Sequence, residues 1–142
     1  MSFTLDSRIE ETSFLITHID EFQIRLVNDK RYLWLLVIPI AADLTELDDL
    51  KPETQTALIR LASQLSSELK SAFKADKMNI ATIGNIVPQF HLHIIARHKS
   101  DEAWPAPIWG RGEAMIYERI EADLMIDKLQ SLLKSLPLSK DE

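Results

Sequence analysis

Apolar and polar residues alternate along much of this chain, and where the alternation stops the spacing becomes helical. Residues 13–17 read as a first strand. Residues 22–27 follow as a second, with Phe22, Ile24 and Leu26 set against Gln23 and Arg25, the period-two pattern of a half-buried strand. The polar run 28–31 is a turn. Residues 32–38 are almost continuously apolar, which predicts a central strand covered on both faces, and Pro39 ends it. A short helix or irregular lead-in is expected at 7–12 and a short helical turn at 44–50. Pro52 suits the first position of a long helix, on which Leu58, Leu61, Ala62, Leu65, Leu69 and Phe73 recur at helical spacing. Residues 78–82 read as a strand, Gly84 and Asn85 as a turn, and 89–98 as another strand. The segment 101–109, with two prolines and two tryptophans, reads as an ordered loop or an extended arm. A final helix is expected over 113–136, with Ile116, Ile120, Leu124, Leu129 and Leu132 or Leu133 on its apolar face, then a polar tail at 138–142. Strands in hairpin-like succession with one inserted helix predict an α+β domain built on an antiparallel sheet.

Composition fits one domain spanning 1–142: the chain has 142 residues, 46% of them apolar and 27% charged. It has no cysteine, which excludes disulfides, thiolate catalysis and cysteine-ligated zinc. The net charge of −6 and the lack of a Lys/Arg-rich run argue against long nucleic acids and anionic membranes as partners, though not against a small anionic ligand. No signal-peptide pattern opens the chain, and the longest apolar run is broken by Pro39 and too short to span a bilayer. A cytoplasmic location is expected.

The chemistry concentrates in Gln89-Phe90-His91-Leu92-His93-Ile94-Ile95-Ala96-Arg97. On a strand, alternate residues share a face and stand about 6.5–7 Å apart. Gln89, His91, His93 and Arg97 would then line one face, while Phe90, Leu92 and Ile94 anchor the other, and His98 falls on the far side by parity. Imidazole is largely unprotonated at neutral pH and can attack phosphorus to give a phosphohistidine that water then hydrolyses. A second imidazole and neighbouring donors would take up charge on the phosphate oxygens.

Gln89-Phe90-His91-Leu92-His93-Ile94-Ile95 resembles the histidine-triad (HIT) signature, His-φ-His-φ-His-φ-φ, with Gln in the first position. Leu26-Val27-Asn28, Leu36-Val37-Ile38-Pro39, Asp49-Leu50, Asn79 and Gly84-Asn85-Ile86-Val87 fall in the family's order, so the resemblance covers roughly 10–110. It implies a nucleotide hydrolase or nucleotidyl transferase acting at an α-phosphate. His91 would be the nucleophile, His93 would assist at the phosphate and leaving group, and Gln89 would orient its neighbours without carrying a proton. It further implies a ribose contact at Asn28 and phosphate contacts at Asn79 and Asn85, with no metal and no cofactor in the chemical step. The implied fold is a five-stranded antiparallel sheet with two main helices, doubled across a homodimer. The family's His shortly after the third-strand proline is absent, because Pro39 is followed by Ile40-Ala41-Ala42-Asp43.

Other readings of the same residues stay open. Asn28 and Asn85 also suit turns, Asn79 a strand edge, and Arg97 either a phosphate contact or a salt bridge. Trp104 and Trp109 suit packing or subunit contact more than base stacking. His91 and His93 have strand spacing suited to a metal, but a third ligand is needed. A nucleotide-binding module with weak chemistry and a His-ligated metal hydrolase are therefore the alternatives to the covalent enzyme.

Overall fold

The computed structural model describes residues 2–136; the polar tail expected at 138–142 lies outside the described residues. Five strands form one antiparallel sheet: β1 (Ser13–Ile19), β2 (Phe22–Val27), β3 (Leu33–Pro39), β4 (Lys77–Thr82) and β5 (Leu92–Arg97). Their order is β1-β2-β3-β5-β4. β3 is thus central, and the long helix carries the chain from β3 to the β4 edge so that β5 can return between them. Helix α1 (Ser7–Glu11) precedes the sheet, α2 (Pro52–Phe73) joins β3 to β4, and α3 (Arg119–Lys134) follows β5. The turn expected at 44–50 is a single 3-10 turn, Leu47–Asp49.

The two faces of the sheet have different coverings. On one face Leu33, Leu35 and Val37 of β3 and Leu92, Ile94 and Ala96 of β5 meet Leu58, Leu61, Ala62, Leu65 and Leu69 of α2. Pro52 starts α2 at the position where its missing N–H costs nothing, and Lys74 closes the helix in the left-handed conformation, φ 54°, donating its N–H to the Lys70 carbonyl. On the other face Leu36 and Ile38 pack with Ile9, Phe3, Leu5, Val27 and Val87, so the N-terminal segment covers the centre of the sheet. A separate cluster, Tyr32, Ile95, Ala103 and Ile108, is covered by the 101–109 loop.

Two expectations about the last helix are corrected. It starts at Arg119, not at 113, because 113–118 finds better partners in the turn after β2. The Tyr117 N–H donates to Asn28 Oδ1 (2.9 Å), the Met115 N–H to Asp29 Oδ1 (3.3 Å), and the Lys30 N–H to the Met115 carbonyl (2.7 Å). A segment so bonded is held extended, and Glu118 with Glu121 then forms a capping box. The buried stripe differs in its first half, while Leu129 and Leu133 are buried as expected. Ala122, Leu129 and Leu133 are buried, with Met125, Ile126 and Leu132 beside them, whereas Ile116, Ile120 and Leu124 are exposed. The buried set repeats at helical spacing toward β1; the predicted set begins in a segment that is not helical.

Candidate active site

β5 delivers two imidazoles to the face opposite α2. His91 immediately precedes the strand and His93 is its second residue; both are buried, and their ring centroids are 4.8 Å apart in an edge arrangement. The expected strand 89–98 is shortened at its start, because residues 89–91 turn aside to make bonds of their own.

The hydrogen bonds assign the tautomers. His91 Nδ1 lies 2.7 Å from the Gln89 carbonyl oxygen. A carbonyl only accepts, so Nδ1 carries the proton and Nε2 keeps its lone pair. His93 has the opposite arrangement. The Trp34 indole, which only donates, gives its Nε1–H to His93 Nδ1 at 2.9 Å, so the ring proton sits on Nε2, with the Ile83 carbonyl 3.4 Å away. Burial, and then the neighbouring His91, push His93 down to about 4 against the opposing pull of the Ile83 carbonyl. His93 is a neutral hydrogen-bond donor at physiological pH. Trp109 completes its enclosure, with its ring edge-on at 5.0 Å.

His91 stands between two cavities. One, of about 380 Å³, is largely apolar; Trp34, Leu36, Val27 and Val87 line it with Asn28, Asp29, His91 and His93. Arg8, Ile9 and Thr12 close it from the N-terminal side, and Ala114 and Ile116 from the C-terminal side. The second, of about 350 Å³, is more polar and is lined by Thr45, Glu46, Thr82, Gly84, Asn85 and Gln89 as well as His91.

Of the residues singled out in the sequence, Asn28 borders the apolar cavity with His91 and His93, and Asn85 and Gln89 border the polar one. Asn28 Oδ1 is occupied by the Tyr117 N–H, which leaves its amide donors for a ligand. Asn79 is not among the residues lining either cavity. Its Oδ1 accepts from Arg97 Nη1 at 2.9 Å.

Arg97 is not a phosphate contact. Its Nε and Nη2 donate to Asp101 at 2.8 and 3.0 Å, and Nη2 also donates to the Ala106 carbonyl. The side chain is 2% exposed. It anchors the loop that brings Trp109 to His93. His98, on the far side as parity requires, lies with Nε2 3.0 Å from the Phe73 carbonyl at the end of α2.

Sequence reasoning missed Trp34. The only signal was an indole in an otherwise aliphatic strand, since a buried indole N–H usually finds an acceptor. It also missed the use of the Gln89 side chain. Gln89 Oε1 accepts from the Asp6 N–H at 2.8 Å and Nε2 donates to the Thr4 carbonyl at 2.9 Å. The amide therefore faces the N-terminal segment. Among the described residues no group of three or more His, Asp or Glu side chains could hold a metal ion.

Residues 8–100 match the family model described as HIT domain. Among solved structures, a histidine triad (HIT) protein from Sinorhizobium meliloti 1021 is 37% identical, with 94% of this chain and 97% of that chain covered and a TM-score of 0.88. A histidine triad protein from Bradyrhizobium japonicum is 35% identical, with 96% and 99% covered and a TM-score of 0.88. One from Marinobacter aquaeolei VT8 is 34% identical, with 96% and 99% covered and a TM-score of 0.92. No curated protein sequence matches the chain.

Proposed function

Because this chain belongs to the histidine-triad (HIT) family, whose members are generally nucleotide-binding hydrolases or transferases, we propose that it hydrolyses or transfers at the α-phosphate of a nucleoside phosphate derivative through a nucleotidyl-His91 intermediate. The observation that carries this is the His91 tautomer: Nδ1–H is held by the Gln89 carbonyl, so the Nε2 lone pair is the free nucleophile at the junction of the two cavities.

Nε2 of His91 forms the bond to phosphorus as the bond from phosphorus to the leaving group breaks, and the leaving group departs with the electron pair. Neutral His93 donates from Nε2 to a phosphate oxygen as charge builds there, a contribution of the oxyanion-hole kind. With its Nδ1 already occupied and its basicity lowered, it acts as a hydrogen-bond donor, and solvent protonates the leaving group. Water or another acceptor then displaces His91 and releases the nucleotide. The base and ribose would occupy the apolar cavity, with Asn28 at the ribose. The phosphate substituent would occupy the polar cavity, with Asn85 at its edge. Asn79 would act on phosphate only if it gave up the Arg97 bond.

The family likeness also supports a homodimer paired through the open edge of β4. Ile80 and Ile83 are exposed on that strand and just beyond it, in the isolated chain, and light scattering in solution reads the oligomeric state directly. Within the described residues no helix is long and apolar enough to cross a membrane, and a cytoplasmic location belongs to the same proposal.

Acid-labile trapping tests the mechanism. Wild-type protein is mixed with adenosine phosphoramidate or a dinucleoside polyphosphate, quenched in alkali and digested for mass spectrometry. A nucleotidyl group on His91, absent from His91→Ala, is the expected result. An adduct elsewhere, or turnover that survives His91→Ala, sinks the covalent mechanism. Tight nucleotide binding without an adduct or turnover would favour the binding module, to which the amide at Gln89 lends support because it cannot move a proton.

A further inference from the structure

We propose that Gln89 is a positioning residue: its side-chain amide latches the N-terminal arm, residues 3–12, into place as a wall of the nucleotide cavity. This rests on the nucleotide-binding reading above and assigns Gln89 a task outside the chemical step.

The latch has the form of a backbone bridge. A primary amide presents a donor and an acceptor side by side, as the N–H and C=O of one strand residue do. Gln89 gives its N–H to the Thr4 carbonyl and takes the Asp6 N–H, the pattern by which a residue in a parallel strand would bridge Leu5. Leu5 and Phe3 pack beside Leu36 and Ile38, so apolar contact supports the bonded pair. Beyond the latch, Asp6 caps α1 and chelates Arg8 with both carboxylate oxygens, at 2.8 and 3.0 Å. Arg8 Nη1 then donates to the Ile86 carbonyl at 2.9 Å, tying the arm to the loop before β5. The result is that Arg8, Ile9 and Thr12 face the cavity beside His91.

The arrangement explains why an amide stands here. An imidazole carries its two nitrogens on diverging edges of the ring, and they cannot serve residues 4 and 6 as an amide does. The same residue holds His91 through its main-chain carbonyl and the arm through its side chain. Replacing the side chain should therefore loosen the wall while the bond that sets the His91 tautomer remains.

The test compares wild type with Gln89→His, Gln89→Glu and Asp6→Pro. The carboxylate of Gln89→Glu cannot donate to the Thr4 carbonyl. Asp6→Pro removes the N–H from the arm side at a φ of −57° that proline accepts, together with the carboxylate that caps α1 and holds Arg8. Three quantities are measured: hydrogen exchange of the Asp6 N–H in the unliganded protein (for the two Gln89 variants), AMP affinity by calorimetry, and turnover of adenosine phosphoramidate. The expected result is exchange at least about tenfold faster in Gln89→His, which loses the acceptor for the Asp6 N–H, AMP affinity lowered about fivefold or more in all three variants, and kcat falling less than KM rises. Unchanged exchange in both Gln89 variants overturns the latch. Faster exchange with unchanged AMP affinity overturns the wall. A rise in kcat for Gln89→His overturns both, since a proton-carrying ring would then be what the position lacks. Wild type that binds AMP without turning over the phosphoramidate defeats only the hydrolase reading; wild type with no AMP affinity defeats this inference too.

Discussion

The Trp34 indole donates its Nε1–H to Nδ1 of His93 at 2.9 Å. One bond thereby fixes which nitrogen of His93 carries the proton. It also disfavours protonation of the ring, because a second proton on Nδ1 would displace the indole. Trp34→Phe keeps an apolar ring and removes the donor. His93 should then titrate above about 4, nearer the ordinary histidine range. Turnover should fall about tenfold, the size expected when one buried hydrogen bond of about 1.4 kcal/mol is lost. Imidazole nitrogen NMR and steady-state kinetics read the two effects, and an unchanged tautomer with unchanged turnover would refute the assignment.

His93 also makes stability depend on pH. The unfolded chain protonates this ring near 6.5, whereas the folded protein keeps it neutral down to about 4. Between those values the unfolded state binds more protons, so stability declines as pH falls. The full difference is roughly 3.5 kcal/mol at about 1.4 kcal/mol per pH unit, and it stops growing below about 4. Asp29 and Asp101, both held below the usual carboxylate range, act at lower pH. For each, burial opposes ionisation but the hydrogen bonds from its arginine and neighbouring N–H groups prevail. Urea unfolding at pH 7 and pH 4.5 should show the loss in wild type and much less of it in His93→Gln.

What was legible in the sequence follows from which forces are local. β2 at Phe22–Val27 and the start of α2 at Pro52 could be read because alternation and a proline at the first helical turn act on neighbouring residues. The pairing of His91 with His93 was legible from their two-residue spacing, although His91 stands just ahead of β5 and makes its own bond to the Gln89 carbonyl. Residues 113–118 were not, because their preference is overridden by Asn28 and Asp29, some 85 positions away. The tasks of Arg97 and Gln89 were also hidden. A guanidinium or an amide at a given parity is equally suited to a ligand or to a main-chain partner, and only the course of the 101–109 loop and of the N-terminal arm decides between them.

Arg97 and Asp101 supply a prediction on that loop. The pair is buried on both sides, and Asp101 also accepts the N–H groups of His98 and Trp104. Breaking one partner of such a pair leaves a buried charge uncompensated, at a cost of about 3–5 kcal/mol. Asp101→Asn should therefore lower stability by that order in urea, and Trp109, no longer pressed against His93, should change its fluorescence. The double replacement Arg97→Met with Asp101→Leu should cost less than Asp101→Asn alone, because no charge is stranded. A double variant less stable than the single one would show that the pair stabilises through attraction and not merely by mutual compensation.

Asn28 offers a way to separate holding the fold from holding the ligand. Its Oδ1 accepts the Tyr117 N–H, and this bond draws the 113–118 segment along the cavity, where Ala114 and Ile116 form part of the lining. Its amide hydrogens are the groups assigned to ribose. Asn28→Asp retains an acceptor for Tyr117 and loses the donors, whereas Asn28→Ala loses both. If the amide binds nucleotide, Asn28→Asp should leave exchange of the Tyr117 N–H slow while AMP affinity drops about tenfold, as for one lost hydrogen bond of about 1.4 kcal/mol. Asn28→Ala should weaken binding at least as much and speed that exchange as well. Equal AMP affinity in wild type and Asn28→Asp would confine Asn28 to its bond with Tyr117, and the ribose contact would have to be reassigned within the same cavity.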